Sequence, residues 1–145
     1  MLDLPLERIH PLAFRAAEAT ACAAEQGKFW QMHDRLFANS KSLDNLSPHA
    51  EAIGLDLGSF TDCLQSGRAA ASVRKDMEEA AKAGATGTPA FLLALTDPAD
   101  PSKVEGLTTF RGAQPFNAFR SQIERALRDL GKAAAQPRRE GAAIQ

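Results

Sequence analysis

The chain has 145 residues, 17 basic against 18 acidic, a net charge of −1, and 44% apolar residues, with 28 Ala and 16 Leu against 2 Val, 4 Ile and no Tyr. That length suits one domain with a real core, and a composition rich in helix formers and poor in β-branched residues excludes a sheet-dominated protein. A balanced charge lacks the basic surface that phosphate-driven nucleic-acid binding needs, and no apolar run approaches a bilayer span.

Residues 1–6 alternate Leu with polar residues and Pro5, which reads as the end of a strand or an extended lead-in. The first five residues have no basic stretch followed by an apolar one, so no export signal is expected as written. From Pro11 an Ala-rich helix is predicted to about Gln26, with Leu12, Ala16, Ala19 and Ala23 on one face, Cys22 beside it and Gly27 as the stop. A second helix, Lys28 to about Asn39, carries two apolar rows, Phe29-Met32-Leu36 and Trp30-His33-Phe37. A stripe that wide predicts packing on more than one side. Ser47-Pro48 reads as an N-cap and first helical residue, opening a short helix that ends at Gly54. Asp56 starts another helix, through Phe60 and Leu64 to Gly67, and Arg68 to Ala83 forms a longer one. On that last helix Arg74, Lys75, Glu78, Glu79 and Lys82 make a solvated charged face.

The periodicity then changes. Residues 89–95, Pro-Ala-Phe-Leu-Leu-Ala-Leu, form a continuous apolar run of strand length, as in a strand buried on both faces. A loop from Thr96 to Lys103 with Pro98 and Pro101 leads to a more polar strand, Val104 to Arg111, so an antiparallel hairpin is expected. Pro115 opens a final helix with Phe116, Phe119, Ile123, Leu127 and Leu130 on its buried face. Residues 131–145 have no periodic pattern and are expected to be disordered.

The most informative segment is Gly84-Ala-Thr-Gly-Thr-Pro-Ala-Phe91, where two glycines and two threonines lead into a proline that begins an apolar strand. Proline is tolerated there because a strand's first residue can forgo its N–H. Taken with Gly112-Ala-Gln-Pro-Phe116, His10-Pro-Leu-Ala-Phe14, Ala21-Cys-Ala-Ala-Glu-Gln-Gly-Lys-Phe-Trp30 and His33-Asp-Arg-Leu-Phe37, it resembles the DsbA-like branch of the thioredoxin-fold family over roughly residues 3–130.

The resemblance implies an α/β, mostly helical fold: a strand stub, a helical subdomain at about 11–84, a β-hairpin and a C-terminal helix at about 89–130. It implies that Pro89 is the family's cis-proline and that Gly87, Thr88 and Pro89 face an extended or unfolded polypeptide substrate. The family's Cys-x-x-Cys unit would lie upstream of Met1, so the fold is expected to be truncated at its N-terminus and to lack a catalytic pair. The strand at 91–95 would then present a bare apolar edge, so the chain is expected either to self-associate through it into a homodimer or to need a partner segment there. No cofactor, nucleic acid or membrane contact is implied. The family points to the periplasm, and a cytoplasmic location stays open.

Cys22 and Cys63 are too far apart in sequence to be a Cys-x-x-Cys pair, and neither sits at a helix N-terminus, where a thiolate is stabilised. Two readings stand for them: buried free thiols, or a disulfide stapling two helices, an arrangement that some DsbA-like proteins resemble. A metal site from both cysteines with His10, His33 or His49 has no close ligand pair to support it. His33, Trp30 and the phenylalanines at 29, 37, 116 and 119 have the spacing of packed core residues. Three functions follow: a DsbA-family thiol-disulfide oxidoreductase inactive without its cysteine pair, a non-catalytic thioredoxin-like peptide-binding module, or a kappa-class glutathione transferase or isomerase relative.

Overall fold

The structure, a computed structural model, describes residues 1–97, 99–100 and 103–135. The helices are α1 (Ala13–Glu25), α2 (Phe29–Ala38), α3 (Ser47–Ala52), α4 (Leu57–Ser66) and α5 (Arg68–Lys82), then strands β1 (Ala90–Thr96) and β2 (Val104–Arg111), then α6 (Phe116–Ala135). The helix-rich chain with a small sheet expected from composition, and the mostly helical α/β architecture implied by the resemblance, are present. The chain separates into two compact units, Met1–Gly87 and Thr88–Gln145. Each unit has apolar residues of its own to pack, which is why the division falls in the loop after α5.

The first unit is built from small residues. Ala19, Cys22 and Ala23 of α1 are buried against Met32 and Leu36 of α2, Ala50 of α3, Phe60 and Cys63 of α4 and Ala69 of α5. Alanine keeps its helix propensity while letting helix axes approach closely, and Phe60 and Met32 are the largest fully buried side chains. Helix ends are closed individually. Gly27, Gly54, Gly67 and Gly84 each take a positive φ, at the turns that follow α1, α3, α4 and α5. Lys28 Nζ donates to the carbonyls of Ile53 and Gly54 at 2.8 Å each, placing a cation on the C-terminal end of α3. Asp56 caps α4, its Oδ1 accepting the Ser59 N–H at 2.7 Å. Gln26, at the end of α1, both donates to the Asp56 carbonyl and accepts its N–H.

Ser47 is not the cap. It is the first residue of α3, Leu46 is the N-cap, and the Ser47 N–H is received by Asn45 Oδ1 at 3.3 Å. The N–H groups a Ser47 cap would receive, those of His49 and Ala50, both donate to the Leu46 carbonyl instead, at 3.1 Å each. Residues 1–6 form no strand and pair with none among the described residues, so the expected strand stub is not seen. The segment is held instead by the Asp3 N–H donating to Asp76 Oδ2 on α5 at 3.1 Å.

In the second unit β1 and β2 pair antiparallel, Phe91 opposite Phe110, with a bulge opposite Leu93 and Ala94. Phe119 of α6 packs on this pair, its ring 4.8 Å from Phe91 and 5.0 Å from Phe110. Among the described residues, the aromatic cluster covers one face of the strand pair. β1 is therefore not buried on both faces as its apolar run suggested, and Leu92 is 51% exposed. The same holds for α6, where Phe116, Ile123 and Leu127 are exposed while Phe119 is half-buried. The helix continues to Ala135, because Lys132 and three alanines extend it past Gly131. Residues 131–135 of the expected disordered tail are thus helical, and residues 136–145 lie outside the described residues, as do Pro98 and Pro101 of the hairpin loop.

Candidate functional site

The two cysteines come together. Cys22, in the third turn of α1, and Cys63, late in α4, form a disulfide with Cα atoms 5.7 Å apart across a sequence separation of 41. Helical phase explains it: Cys22 lies beside Ala19 and Ala23 on the buried face of α1, and Cys63 lies one turn below Phe60 on the buried face of α4. Both are almost completely buried, at 1% and 0% exposure. No free cysteine remains. Of the two readings left open by sequence, the staple holds. Because each sulfur is bonded to the other, neither is free to ligate a metal. His10, His33 and His49 do not gather around them: His49 is buried with Nε2 on the Ser42 carbonyl at 2.8 Å, and His33 Nδ1 lies 2.9 Å from Asp34 Oδ1.

Gly84-Ala85-Thr86-Gly87 closes the first unit and Thr88-Pro89 opens the second. The Thr88–Pro89 peptide bond is cis. Pro89, lacking an N–H, contributes only its carbonyl, which accepts the Gly112 N–H at 2.8 Å and extends the β-ladder by one pair. Thr88 and Pro89 are exposed and Gly87 is half-buried. Gly87 has an ordinary φ, and a Cβ built on it meets nothing within 4 Å. No steric need within this chain calls for glycine there.

A feature that sequence spacing misassigned lies on α2. Met32 and Leu36 are buried, but Trp30 is 60% and Phe37 73% exposed, so the second apolar row is not core. These side chains cover one another instead. His33 lies 5.3 Å from the Trp30 ring and 4.6 Å from Phe37, and Phe29 meets Trp30 edge-on at 5.1 Å. Periodicity could reveal that the row was apolar but not that it lacked a neighbour. A second unanticipated feature is the carboxyl pair Asp3 and Asp76. Burial, and then the charge of Asp76, push the Asp3 carboxyl above its usual range, with His33 and the N-terminus opposing. Nothing in the local sequence of either residue signals that long-range meeting.

A family model described as a DSBA-like thioredoxin domain matches residues 2–124. Among curated proteins, the chain is 39% identical over 120 residues to a protein of Salinispora tropica named Na(+)/H(+) antiporter NhaA 3, covering 81% of this chain and 18% of that protein. It is 40% identical over 92 residues to Na(+)/H(+) antiporter NhaA 1 of Salinispora arenicola, covering 62% and 14%. A protein named Na(+)/H(+) antiporter NhaA 1 from a Mycobacterium species is 38% identical over 93 residues, covering 61% and 15%. The chain thus spans less than a fifth of the length of these relatives. No solved structure matches it.

Proposed function

The chain belongs to the DSBA-like thioredoxin domain family, a family of thiol-disulfide oxidoreductase type, and from that membership we propose that it holds an extended polypeptide for disulfide exchange without itself supplying the exchanging thiols. The observation that carries this reading is the state of its cysteines. Both are buried and bonded to each other on helices, away from any helix N-terminus, where a reactive thiolate would gain stabilisation. What the chain retains of the family's site, by the resemblance, is the exposed loop Gly87-Thr88-Pro89. Open space beside Gly87 suits an incoming extended backbone. A buried disulfide also favours an oxidising compartment such as the periplasm.

The relatives' names describe antiporters, but the chain matches only a small part of each. Antiport is not carried over, since no described helix is long and apolar enough to cross a membrane. The match fits a module that can be attached to a transporter.

The test pairs two assays on the full chain. Insulin reduction should show no turnover, while a reduced and S-carboxymethylated polypeptide should bind, and Gly87→Val should weaken that binding without changing the helical circular dichroism. Turnover by the chain alone would place an exchange centre within it. Absence of polypeptide binding would remove the holding role, and binding of glutathione in its place would favour the kappa-class transferase reading.

A further inference from the structure

His49 is a buried titratable side chain that the role proposed above does not use. It lies on α3 at 5% exposure, with Nε2 2.8 Å from the Ser42 carbonyl. A carbonyl only accepts, so Nε2 carries the proton and Nδ1 is the bare nitrogen of the neutral ring. Nδ1 is itself buried and has no hydrogen-bond partner among the described residues. The ring is thus satisfied on one side alone, by the backbone of the loop that joins α2 to α3.

That loop spans residues 39–46. The Ser42 N–H donates to the Asn39 carbonyl at 2.9 Å, and Leu43 and Leu46 pack on the core of the first unit. Ser42 and its neighbour Lys41 are otherwise exposed, so the His49 bond is what ties the middle of the loop to a helix.

A second proton fits poorly in this arrangement. It would put an N–H on Nδ1, enclosed and facing no acceptor, on a ring that has become a cation. The charged groups on the surrounding elements do not offset that. Lys28 holds the Ile53 and Gly54 carbonyls at the far end of α3, so α2 runs back alongside α3 in the opposite sense. Arg35, another cation, belongs to the end of α2 that returns towards His49, and its Nε is also buried without a partner. Among the acids, Asp44 in the loop, Glu51 on α3 and Asp62 on α4 are exposed. Asp34 is engaged by His33, and Asp56 by the Ser59 N–H.

We propose that His49 is an acid-released clasp on the α2–α3 loop. Neutral, it fastens the loop through the Ser42 carbonyl; protonated, the ring turns out to solvent, gives up that carbonyl and frees the loop together with Leu43. The closed loop is therefore favoured while the ring is neutral and is lost as pH falls through the ordinary imidazole range, about 6.5. The Cys22–Cys63 staple holds α1 to α4 in both forms, so the opening is local. The inference concerns the first unit and stands whether or not the chain holds a polypeptide.

Native-state hydrogen exchange of the full chain, corrected for intrinsic rates, should show the Ser42, His49 and Ala50 amides losing protection roughly tenfold between about pH 7.5 and about pH 5, with α1 amides unchanged. His49→Gln keeps an N–H able to reach the Ser42 carbonyl but takes no proton in this range, so its loop should be equally protected at both values. His33→Gln should leave the pH dependence of the loop intact. Nitrogen-15 spectra of the native imidazoles supply a readout that needs no variant. His49 should hold its proton on Nε2 near neutral pH, and its signals should move together with the Ser42 and Leu43 amides on acidification. Loop protection indifferent to pH, an equal loss in His49→Gln, a loss abolished by His33→Gln, or a His49 imidazolium that forms with the loop amides unmoved would each overturn the proposal.

Discussion

At the residue scale the disulfide is the largest single constraint in the first unit. Closing a loop of 41 residues restricts the unfolded chain, and by the chain-entropy relation that is worth about 4 kcal/mol. The double variant Cys22→Ala with Cys63→Ala should lose about that much in urea unfolding, and reduction of the native chain should lower its melting temperature similarly. Thiol titration in denaturant should find two thiols only after reduction. Asp3 makes a smaller, pH-dependent contribution. Its carboxyl titrates above the ordinary 3.8 because burial and Asp76 disfavour its charge. A raised value in the folded state means that the associated stability is complete below about pH 3.8 and is lost as pH rises through the folded-state value. Asp3→Asn should therefore stabilise the chain at neutral pH, by about 0.5 kcal/mol or less given partial exposure, and the gain should vanish in acid. A gain that persists at pH 3 would assign the effect to something other than this carboxyl.

At the element scale, sequence was informative about where helices and strands lie and less so about what covers them. The hairpin, the Gly stops and the Asp56 cap follow from residue type, because φ > 0, a missing N–H or a short acidic side chain acts locally. Ser47 was misread because two candidate acceptors, Asn45 and Ser47 itself, stand next to the same helix start. The Trp30-His33-Phe37 row and the Phe116-Ile123-Leu127 row were both read as core, since a helical period reports an apolar face whether or not anything packs on it. The Gly87-Thr88-Pro89 loop was legible only through resemblance; its spacing alone is that of any helix-to-strand connection. One tertiary contact that sequence could not announce is the Lys28 ammonium on the end of α3. Lys28→Ala leaves the Ile53 and Gly54 carbonyls without their shared donor. It should cost about 1 kcal/mol in chemical denaturation, while Lys28→Arg should recover part of that loss.

At the scale of the whole molecule, stabilising interactions are unevenly divided between the two units. The disulfide, the Arg68–Glu25 ion pair and the Gln26–Asp56 exchange all lie within Met1–Gly87. Among the described residues of the second unit are the β1–β2 ladder, the Phe91-Phe110-Phe119 cluster and the exposed ion pairs Lys103–Asp100 and Arg128–Glu124, and none of these is a covalent cross-link. Local opening free energies follow such differences. Hydrogen exchange should consequently find α1 and α4 amides the most protected, with β1 and β2 opening at lower free energy. Reduction of the disulfide should strip protection from α1 and α4 while leaving the hairpin amides nearly unchanged, because no bond of the hairpin ladder depends on the staple. If both sets lost protection together, the chain would be one cooperative unit and the division at Gly87 would have no energetic meaning. Phe119→Ala is the converse perturbation. It removes a half-buried ring from the Phe91-Phe110-Phe119 cluster of the second unit, so it should cost roughly 2–3 kcal/mol there, somewhat less than for a fully buried phenylalanine. Exchange in β1 and β2 should accelerate accordingly, with α1 and α4 unaffected.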